Sequence, residues 1–401
     1  MKEPGTYVEY IHLWPQSERL ETAIQSGRYD YVYTMPGVKI HQPLIDKMAY
    51  AASQIMEQPL VRPTVACDMN GLKQLIVSGN LKAAFNLTTS LLELYGQGYG
   101  KAGQPTKNTL ETFEIWSCRF QLMMALKLYS NLIEEISPFE ELDAPDTYFD
   151  YHPEYRNLGY TGSMVTYSLR LIHAEILRFT PEPWGAMKRI LKLECETKKI
   201  LDLVLSSERP AHEKSLWKQR MNCVLMLKAR TLYSLKEYHS SMSLFCSVAS
   251  SLETEKRNSL LFMLARLAIS IGDEKSGEKY LKELSPGSGP DHTLHKAFKA
   301  IFYGNYPYAQ EQLQSVRKNA QENAKICNNE AIALLYNGKV EEAKNLLLSY
   351  NGLPPEAILI NMGTISELIS TTSDDLKKQL FAKNCDKMSD IFDPQAIKLS
   401  V

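Results

Sequence analysis

The sequence predicts an all-α fold, a tetratricopeptide-repeat superhelix (α-solenoid) with irregular insertions. Two observations favour this fold. A pattern of small residues and turn residues recurs four times in the C-terminal half of the 401-residue chain, with a period near 34 residues. In addition, no stretch shows the period-two alternation of apolar and polar residues, bounded by hairpin turns, that is typical of β-strands.

Each repeat places a small residue on a first helix, a turn residue seven positions later, and a second small residue five positions after the turn. In chain order these residues are Ala229, Lys236 and Ser241; Ala265, Gly272 and Gly277; Ala297, Gly304 and Ala309; and Ala331, Gly338 and Ala343. The last position recurs after 36, 32 and 34 residues. Small side chains let two antiparallel helices approach, and glycine permits the left-handed conformation that ends a helix.

The same pattern continues upstream in a weaker form. Gly79 and Ala84 match the turn and the second small position of another repeat. Ala174 and Ala186 suggest one more, with Pro181 and Pro183 in its turn, and 110–136 has helical apolar spacing. We therefore expect three regions: 1–65, an extended leader with one short helix near 43–56; 66–210, divergent helical repeats; and 211–401, regular repeats closed at Pro354-Pro355 and followed by C-terminal capping helices.

Three segments interrupt the helical pattern. The first, 96–103, is a glycine-rich loop, and the third, 285–290, is a turn or linker rich in glycine, serine and proline. The second, 137–168, contains five tyrosines and two phenylalanines among acids and prolines. It is too aromatic for a free linker. We expect it to be irregular and to pack back on the repeats or onto a partner.

Composition narrows the classes of function. Lys plus Arg is 45 and Asp plus Glu is 46, so the net charge is -1, which argues against general binding of nucleic acid or anionic membranes. No apolar run near the N-terminus resembles a signal-peptide core. The most apolar stretch, 260–271, is too short to span a bilayer. The seven cysteines are scattered without a C-x-x-C pair. These features predict a soluble cytosolic protein with reduced thiols and no transmembrane segment.

No combination of residues in the sequence predicts an enzyme. Gly98, Gly100 and Gly103 satisfy the spacing of a dinucleotide-binding loop, but the preceding residues continue a helix and Pro105 follows, so a helix end and loop are predicted instead. His292 and His295 lack further ligands nearby, and we expect turn-capping or exposed histidines rather than a metal site. We expect no catalytic residue, no cofactor and no metal.

Binding is predicted at the concave side of the repeats, where first helices lie. The inward-facing positions of the repeat register are Met226, Arg230, Tyr233, Phe262, Arg266, Ile269, Phe298, Ile301, Ile332 and Leu335. One interpretation is a groove for a partner segment that combines apolar residues with one or two acids. The alternative is that several of these side chains only pack within the array or are covered by the chain's last helix.

Several runs, most of them outside the repeat consensus, carry a more specific resemblance. They are 68–75 (DMNGLKQL), 96–101 (GQGYGK), 162–165 (GSMV), 173–175 (HAE), Asn328-Asn329, Gly338-Lys339 and Lys398-Leu399. Together with residues between them, these runs resemble the subunit-twelve family of the metazoan trafficking protein particle (TRAPP) complex over about 30–401. The match includes the irregular insertions, so it is more specific than a repeat consensus.

This resemblance implies a non-catalytic scaffold subunit of a vesicle-tethering complex that exchanges nucleotide on a Rab-family GTPase. Its partners would be other TRAPP subunits, especially the large metazoan ones, and the GTPase only indirectly, because exchange belongs to the small core subunits. The implied location is cytoplasmic and peripheral to early secretory membranes (the endoplasmic reticulum–Golgi intermediate compartment and the Golgi), in endoplasmic reticulum to Golgi traffic and autophagy. Family members often carry a long polar N-terminal extension, and we expect almost none of such an extension before the repeat region of this sequence.

A different class remains open, a co-chaperone or generic peptide-binding adaptor of the same fold. Such proteins grip a C-terminal carboxylate through Lys, Asn and Arg at set inner positions of consecutive repeats. Asn329 matches one such position, but Leu294 and Phe298 are apolar where the clamp needs charge. The sequence therefore favours the scaffold.

Overall fold

The computed structural model describes residues 13–40, 42–57, 60–284, 289–319, 323–352, 355–370 and 373–397. These ranges contain nineteen α-helices and no β-strand, with one isolated antiparallel bridge between Tyr148 and Ser163. The all-α prediction is confirmed. Some residues named in the predictions lie outside the described residues, namely 1–12 of the leader, 285–288 of the linker, Pro354, and the Lys398-Leu399 pair.

The helices follow one another with short turns. In chain order they are α1 Glu18–Ser26, α2 Lys47–Met56, α3 Met69–Val77, α4 Leu81–Leu94, α5 Leu110–Ala125, α6 Tyr129–Ile136, α7 Pro153–Arg156, α8 Tyr167–Glu175, α9 Trp184–Ser206, α10 Ala211–Ser234, α11 Tyr238–Ser250, α12 Thr254–Ser270, α13 Glu274–Lys282, α14 Gly289–Phe302, α15 Tyr306–Asn319, α16 Ala324–Tyr336, α17 Val340–Ser349, α18 Glu356–Ile369 and α19 Ser373–Asn384.

The chain divides into two compact units that are not continuous in sequence. The first unit contains the described residues up to Leu44 together with Val65–Val248. The second contains Ile45–Thr64 together with the described residues from Ala249 onward. These boundaries differ from the three consecutive regions expected from the sequence, because the segment before residue 65 contributes to both units.

The four predicted C-terminal repeats are the helix pairs α10/α11, α12/α13, α14/α15 and α16/α17. The four turn residues, Lys236, Gly272, Gly304 and Gly338, have φ values of 66, 85, 74 and 77°. The next N–H donates to a carbonyl five residues back, as from Asp273 to Ala268 at 2.8 Å. This is the left-handed helix end that the pattern predicts. All eight small residues are buried at the contact between the paired helices, so the repeat prediction is confirmed.

The left-handed turns give a stability prediction. Replacing Gly304 with alanine should destabilise the chain by about 1 kcal/mol, because the added Cβ meets no atom within 4 Å and the cost is confined to the backbone. Replacing Lys236 with glycine should stabilise the chain by a similar amount, because glycine adopts a positive φ without this cost. Urea unfolding followed by far-UV circular dichroism measures both changes. Destabilisation by both substitutions would contradict the backbone explanation.

Two further pairs precede the regular repeats. In α3/α4, Gly79 has a φ of 77° and Ala84 is buried, as expected. The stretch 110–136 is two helices, α5 and α6, which separate at Lys127 with a φ of 60°. The positions equivalent to the small residues hold Phe120 and Leu132, both buried. The small-residue pattern is therefore absent from α5/α6, and for this reason the sequence did not reveal these helices as a repeat.

The pair α8/α9 agrees with the prediction based on Ala174 and Ala186. Both alanines are buried, and Pro181 and Pro183 lie between the helices, after a short 3₁₀ turn at Ile176–Phe179. The long helices α9 and α10 then pack against each other.

The predicted leader contains two helices rather than one. The Ser17 Oγ accepts a hydrogen bond from the Leu20 N–H at the start of α1, and Gly27 ends this helix at a φ of 66°. Leu20 and Ala23 of α1 are buried against the tyrosines of the 137–168 segment. These capping residues were the available signal, but the helix has only 9 residues. A leader that is extended except for one helix is therefore wrong for the described part of this segment.

The 137–168 segment is irregular and packs into the first unit, as predicted. It contains 3₁₀ turns at Ser137–Phe139, Pro145–Thr147 and Phe149–Tyr151 and the short helix α7. Its buried side chains include Phe139, Tyr148, Phe149 and Tyr151. The Asp146 Oδ2 accepts hydrogen bonds from both the backbone N–H (3.0 Å) and the hydroxyl (2.6 Å) of Thr34. The segment is part of the core of this unit.

The glycine-rich loop follows α4 and does not open a helix, since α5 begins only at Leu110. Gly96 has a φ of 73°, and the next residue, Gln97, is buried. The Gln97 Oε1 accepts a hydrogen bond from the Trp116 Nε1–H at 2.6 Å. The predicted helix end and loop are confirmed. None of the helices in the part of the chain that the structure describes combines the length and apolar content needed to cross a membrane.

Candidate partner-binding surfaces

Three residues of the predicted stripe lie on α10 of the first unit. Met226 and Tyr233 are half-buried, and the Arg230 side chain is 56% exposed. Its Nη2 donates a hydrogen bond to the Glu175 Oε2 on α8 at 2.7 Å. The ring of Tyr233 contacts that of Tyr238 with centroids 5.1 Å apart. Arg230 is accessible, but it already has a carboxylate partner.

The other seven stripe residues lie on α12, α14 and α16 of the second unit. Arg266 is exposed, with its guanidinium 5.8 Å from the centroid of the Phe298 ring. The half-buried members are Phe298, Ile301, Ile332 and Leu335. Phe262 and Ile269 are only 5% and 6% exposed. For these two residues the partner-contact prediction is wrong and the packing alternative holds, because helices of the same unit cover them.

His295 also departs from its prediction. We expected a capping or exposed histidine, but its side chain on α14 is buried, with its ring centroid 6.5 Å from that of Phe262. Neither ring nitrogen has a hydrogen-bond partner among the described residues. Burial, together with the positive charge of Arg266, lowers the pKa of His295 to about 4, so the ring is neutral at pH 7. No group of three metal-ligating side chains occurs within the described ranges.

A set of aromatic side chains near the turns of the second unit was missed by the sequence reasoning. It comprises Phe302, Tyr303, Tyr306, Tyr308 and Tyr336, beside the left-handed turns that end α14 and α16. The rings of Tyr306 and Tyr336 stack with centroids 4.5 Å apart at 8°. All except Tyr306 are more than 40% exposed. Exposed aromatic side chains are common anchors of protein interfaces. The available signal was the density of aromatic residues over 302–308.

A cavity of roughly 490 Å³ lies within the first unit. Its wall is formed by 14–19, 141–148 and the facing sides of α8 and α9. Five cationic side chains line it, namely Arg19, Arg170, Arg189, Lys192 and Lys199. The sequence reasoning missed this cavity because its residues come from segments that are distant in the chain.

The chain as a whole is similar to two curated proteins. It is 30% identical over 399 residues to trafficking protein particle complex subunit 12 of Mus musculus. This alignment covers 92% of this chain and 50% of the mouse protein. Identity to the Homo sapiens protein of the same name is also 30%, covering 92% of this chain and 54% of the human protein. The resemblance to subunit 12 is confirmed.

The similarity to subunit 12 extends beyond the regular repeats, since 92% of the chain is more than the 211–401 region can supply. The chain spans about half the length of these curated relatives. No family model matches the sequence. Among solved structures, the chain aligns with the Cut9-Hcn1 hetero-tetramer of the APC/C at a TM-score of 0.31 and 12% identity, over 79% of this chain and 54% of that chain. A structural similarity this low supports no further argument.

Proposed function

We propose that this chain is a non-catalytic scaffold subunit of a TRAPP complex. The observation that carries the proposal is its 30% identity to subunit 12 over 92% of its length. The helix pairs support a scaffold, because stacked pairs expose extended side faces to partners. The proposed role is vesicle tethering in endoplasmic reticulum to Golgi traffic and autophagy, on the cytoplasmic side of early secretory membranes. A Rab-family GTPase would be reached through other subunits.

Affinity purification tests this proposal directly. The full chain, tagged and expressed at native level, should recover the other TRAPP subunits in constant proportion. Recovery of the chain without any TRAPP subunit would reject the proposal. The co-chaperone alternative is tested by calorimetric titration with a chaperone C-terminal peptide. We expect no heat, because the Asn329 Nδ2 already donates to the Lys325 carbonyl at 2.8 Å and its neighbours Leu294 and Phe298 are apolar.

The remaining exposed residues of the predicted stripe give a binding prediction. Reversing both Arg230 and Arg266 to glutamate should reduce recovery of at least one subunit severalfold, because an acidic partner segment would then meet like charge. Stability should change little at the exposed Arg266, by about 0.5 kcal/mol or less. It should fall somewhat more at Arg230, where the new carboxylate would face Glu175.

The matched control is Lys256→Glu, an exposed charge reversal on the same helix as Arg266 that lies outside the stripe. It should leave recovery unchanged. If the folded double variant recovers every subunit at the wild-type level, the stripe only packs within the chain and partners bind elsewhere.

A further inference from the structure

One arginine in the cavity of the first unit lacks the partner that a buried cation needs. Arg170 lies on α8, lines the cavity and is 5% exposed. Its Nη2 donates to the Ser163 Oγ at 2.6 Å, and its Cζ lies 3.9 Å from the centroid of the Trp14 ring. The buried Nε has no hydrogen-bond partner among the described residues, and Arg170 forms no ion pair with a described carboxylate, since Asp143 pairs with Arg19 instead.

Arg119 is a buried arginine of the same unit whose guanidinium is paired with a carboxylate. Its Nε and Nη2 donate to the two carboxylate oxygens of Glu135 at 2.6 and 2.9 Å. Its Nη1 donates to the hydroxyls of Thr88 and Thr89. Arginine is almost never fully buried unless it is paired, since desolvation of the charge is costly. Arg170 therefore differs from Arg119 in lacking an anion.

The other charges around the cavity do not supply this anion. Arg19 binds Glu140 and Asp143, Arg189 binds Glu141 at 2.7 Å, and Lys199 binds Glu196 at 2.8 Å. Among the described lining residues, Arg170 and Lys192 are the cations without an ion pair, and Glu18 is the carboxylate without one. With Glu140 included, the five cations around the cavity are balanced by five carboxylates, so Arg170 is set apart by its missing ion-pair partner and not by an excess of positive charge.

We propose that this cavity binds a phosphate monoester, with Arg170 and Lys192 as the cations that hold the phosphate. A phosphate monoester carries a charge of about -1.5 to -2 at pH 7, which matches two cations better than a single carboxylate does. A guanidinium binds phosphate oxygens through two parallel hydrogen bonds. The Trp14 ring stacks on the Arg170 guanidinium and holds it in place. The volume of roughly 490 Å³ leaves space for the organic part of the ester.

The charge state of Arg170 is consistent with this use. Burial lowers its pKa to about 10, while the polarity of Tyr148 and Tyr167 and the charge of Asp143 oppose this shift. The guanidinium is therefore still charged at neutral pH. The site does not depend on the proposed scaffold function, because it is internal to the first unit.

Calorimetric titration of the full chain with glycerol 3-phosphate and with inorganic phosphate tests the site. We expect saturable binding of the ester, weakened about tenfold or more by Arg170→Gln and severalfold by Lys192→Gln. Arg156→Gln is the control, since Arg156 is exposed, lies in the same unit and does not line the cavity. Lys192 is exposed and its replacement should not disturb folding, so the test stands even if Arg170→Gln fails to fold.

The source of the phosphate monoester is distinguished by a second arm. Flotation with vesicles that contain phosphatidic acid, compared with phosphatidylcholine alone, tests a lipid headgroup. Binding to these vesicles that is lost in Lys192→Gln would assign a lipid, and binding of the soluble ester alone would assign a small molecule. Absence of saturable binding in both arms, equal binding of acetate, or binding that neither cavity variant weakens would overturn the proposal.

Discussion

Replacing Arg119 with leucine is expected to destabilise the first unit by about 3–5 kcal/mol, because it leaves the Glu135 carboxylate buried without a counter-charge. Both side chains are fully buried, and Glu135 also accepts a hydrogen bond from the Lys39 N–H at 2.8 Å. All four tryptophans of the chain, at 14, 116, 184 and 217, lie in this unit. Urea unfolding followed by tryptophan fluorescence therefore reports on the first unit alone.

The double variant with leucine at both Arg119 and Glu135 is the matched control. It should recover much of the lost stability, because no charge stays buried and the pair's own desolvation cost disappears. The Lys39 N–H would still lose its acceptor, at a cost of about 1–3 kcal/mol. If the single variant loses less than about 1 kcal/mol, or if the double variant is less stable than the single one, the pair does not have the energetic role assigned to it.

Acidification should destabilise the same unit through His173. This side chain on α8 is buried, and its Nε2 lies 2.7 Å from the carbonyl oxygen of Glu140. Burial and the positive charges of Arg189 and Arg170 lower its pKa to about 4, although Glu141 acts in the opposite direction. In the unfolded chain a histidine has a pKa of about 6.5. Between these values the unfolded chain binds the proton and the folded chain does not.

The free energy of unfolding should therefore fall as the pH is lowered from about 6.5 towards 4, by up to roughly 3 kcal/mol from His173. Other groups titrate in this range, so the measurement is the difference between the wild type and His173→Gln. Glutamine keeps a donor for the carbonyl of Glu140 and cannot be protonated. The variant should be the less stable form at pH 7.5, and the difference should shrink or reverse by pH 4.5. A difference that is constant with pH would contradict a buried neutral histidine.

The sequence was informative wherever one residue type answers one steric requirement. Gly272, Gly304 and Gly338 adopt left-handed turns, and buried alanines lie where the paired helices meet, so four repeats could be located from spacing alone. The α5/α6 pair shows the limit of this signal. Lys127 adopts the same left-handed turn without being glycine, and the large side chains of Phe120 and Leu132 are buried where the other pairs have small residues.

The candidate site was harder to predict because it depends on tertiary contacts. The repeat register indicates which side of a helix faces inward, but not whether a neighbouring helix covers it, and so Phe262 and Ile269 were assigned to a surface although they are buried. The cavity depends on longer-range contacts still. Trp14, Ser163 and Arg170 meet through folding of segments that share no local pattern, so no spacing in the sequence could indicate an unpaired arginine.

The discontinuous second unit has a consequence for synthesis on the ribosome. Helix α2 contributes Met48, Ala51 and Ala52 to a core completed by α16 to α19, and the Lys47 ammonium pairs with Asp393, 346 residues later in the chain. At a synthesis rate of roughly 5–20 residues per second, tens of seconds pass between the synthesis of α2 and that of the helices it contacts. During that interval its apolar face is open to chaperones. A nascent chain truncated before α16 should therefore remain chaperone-bound at 45–64 even after the first unit has folded.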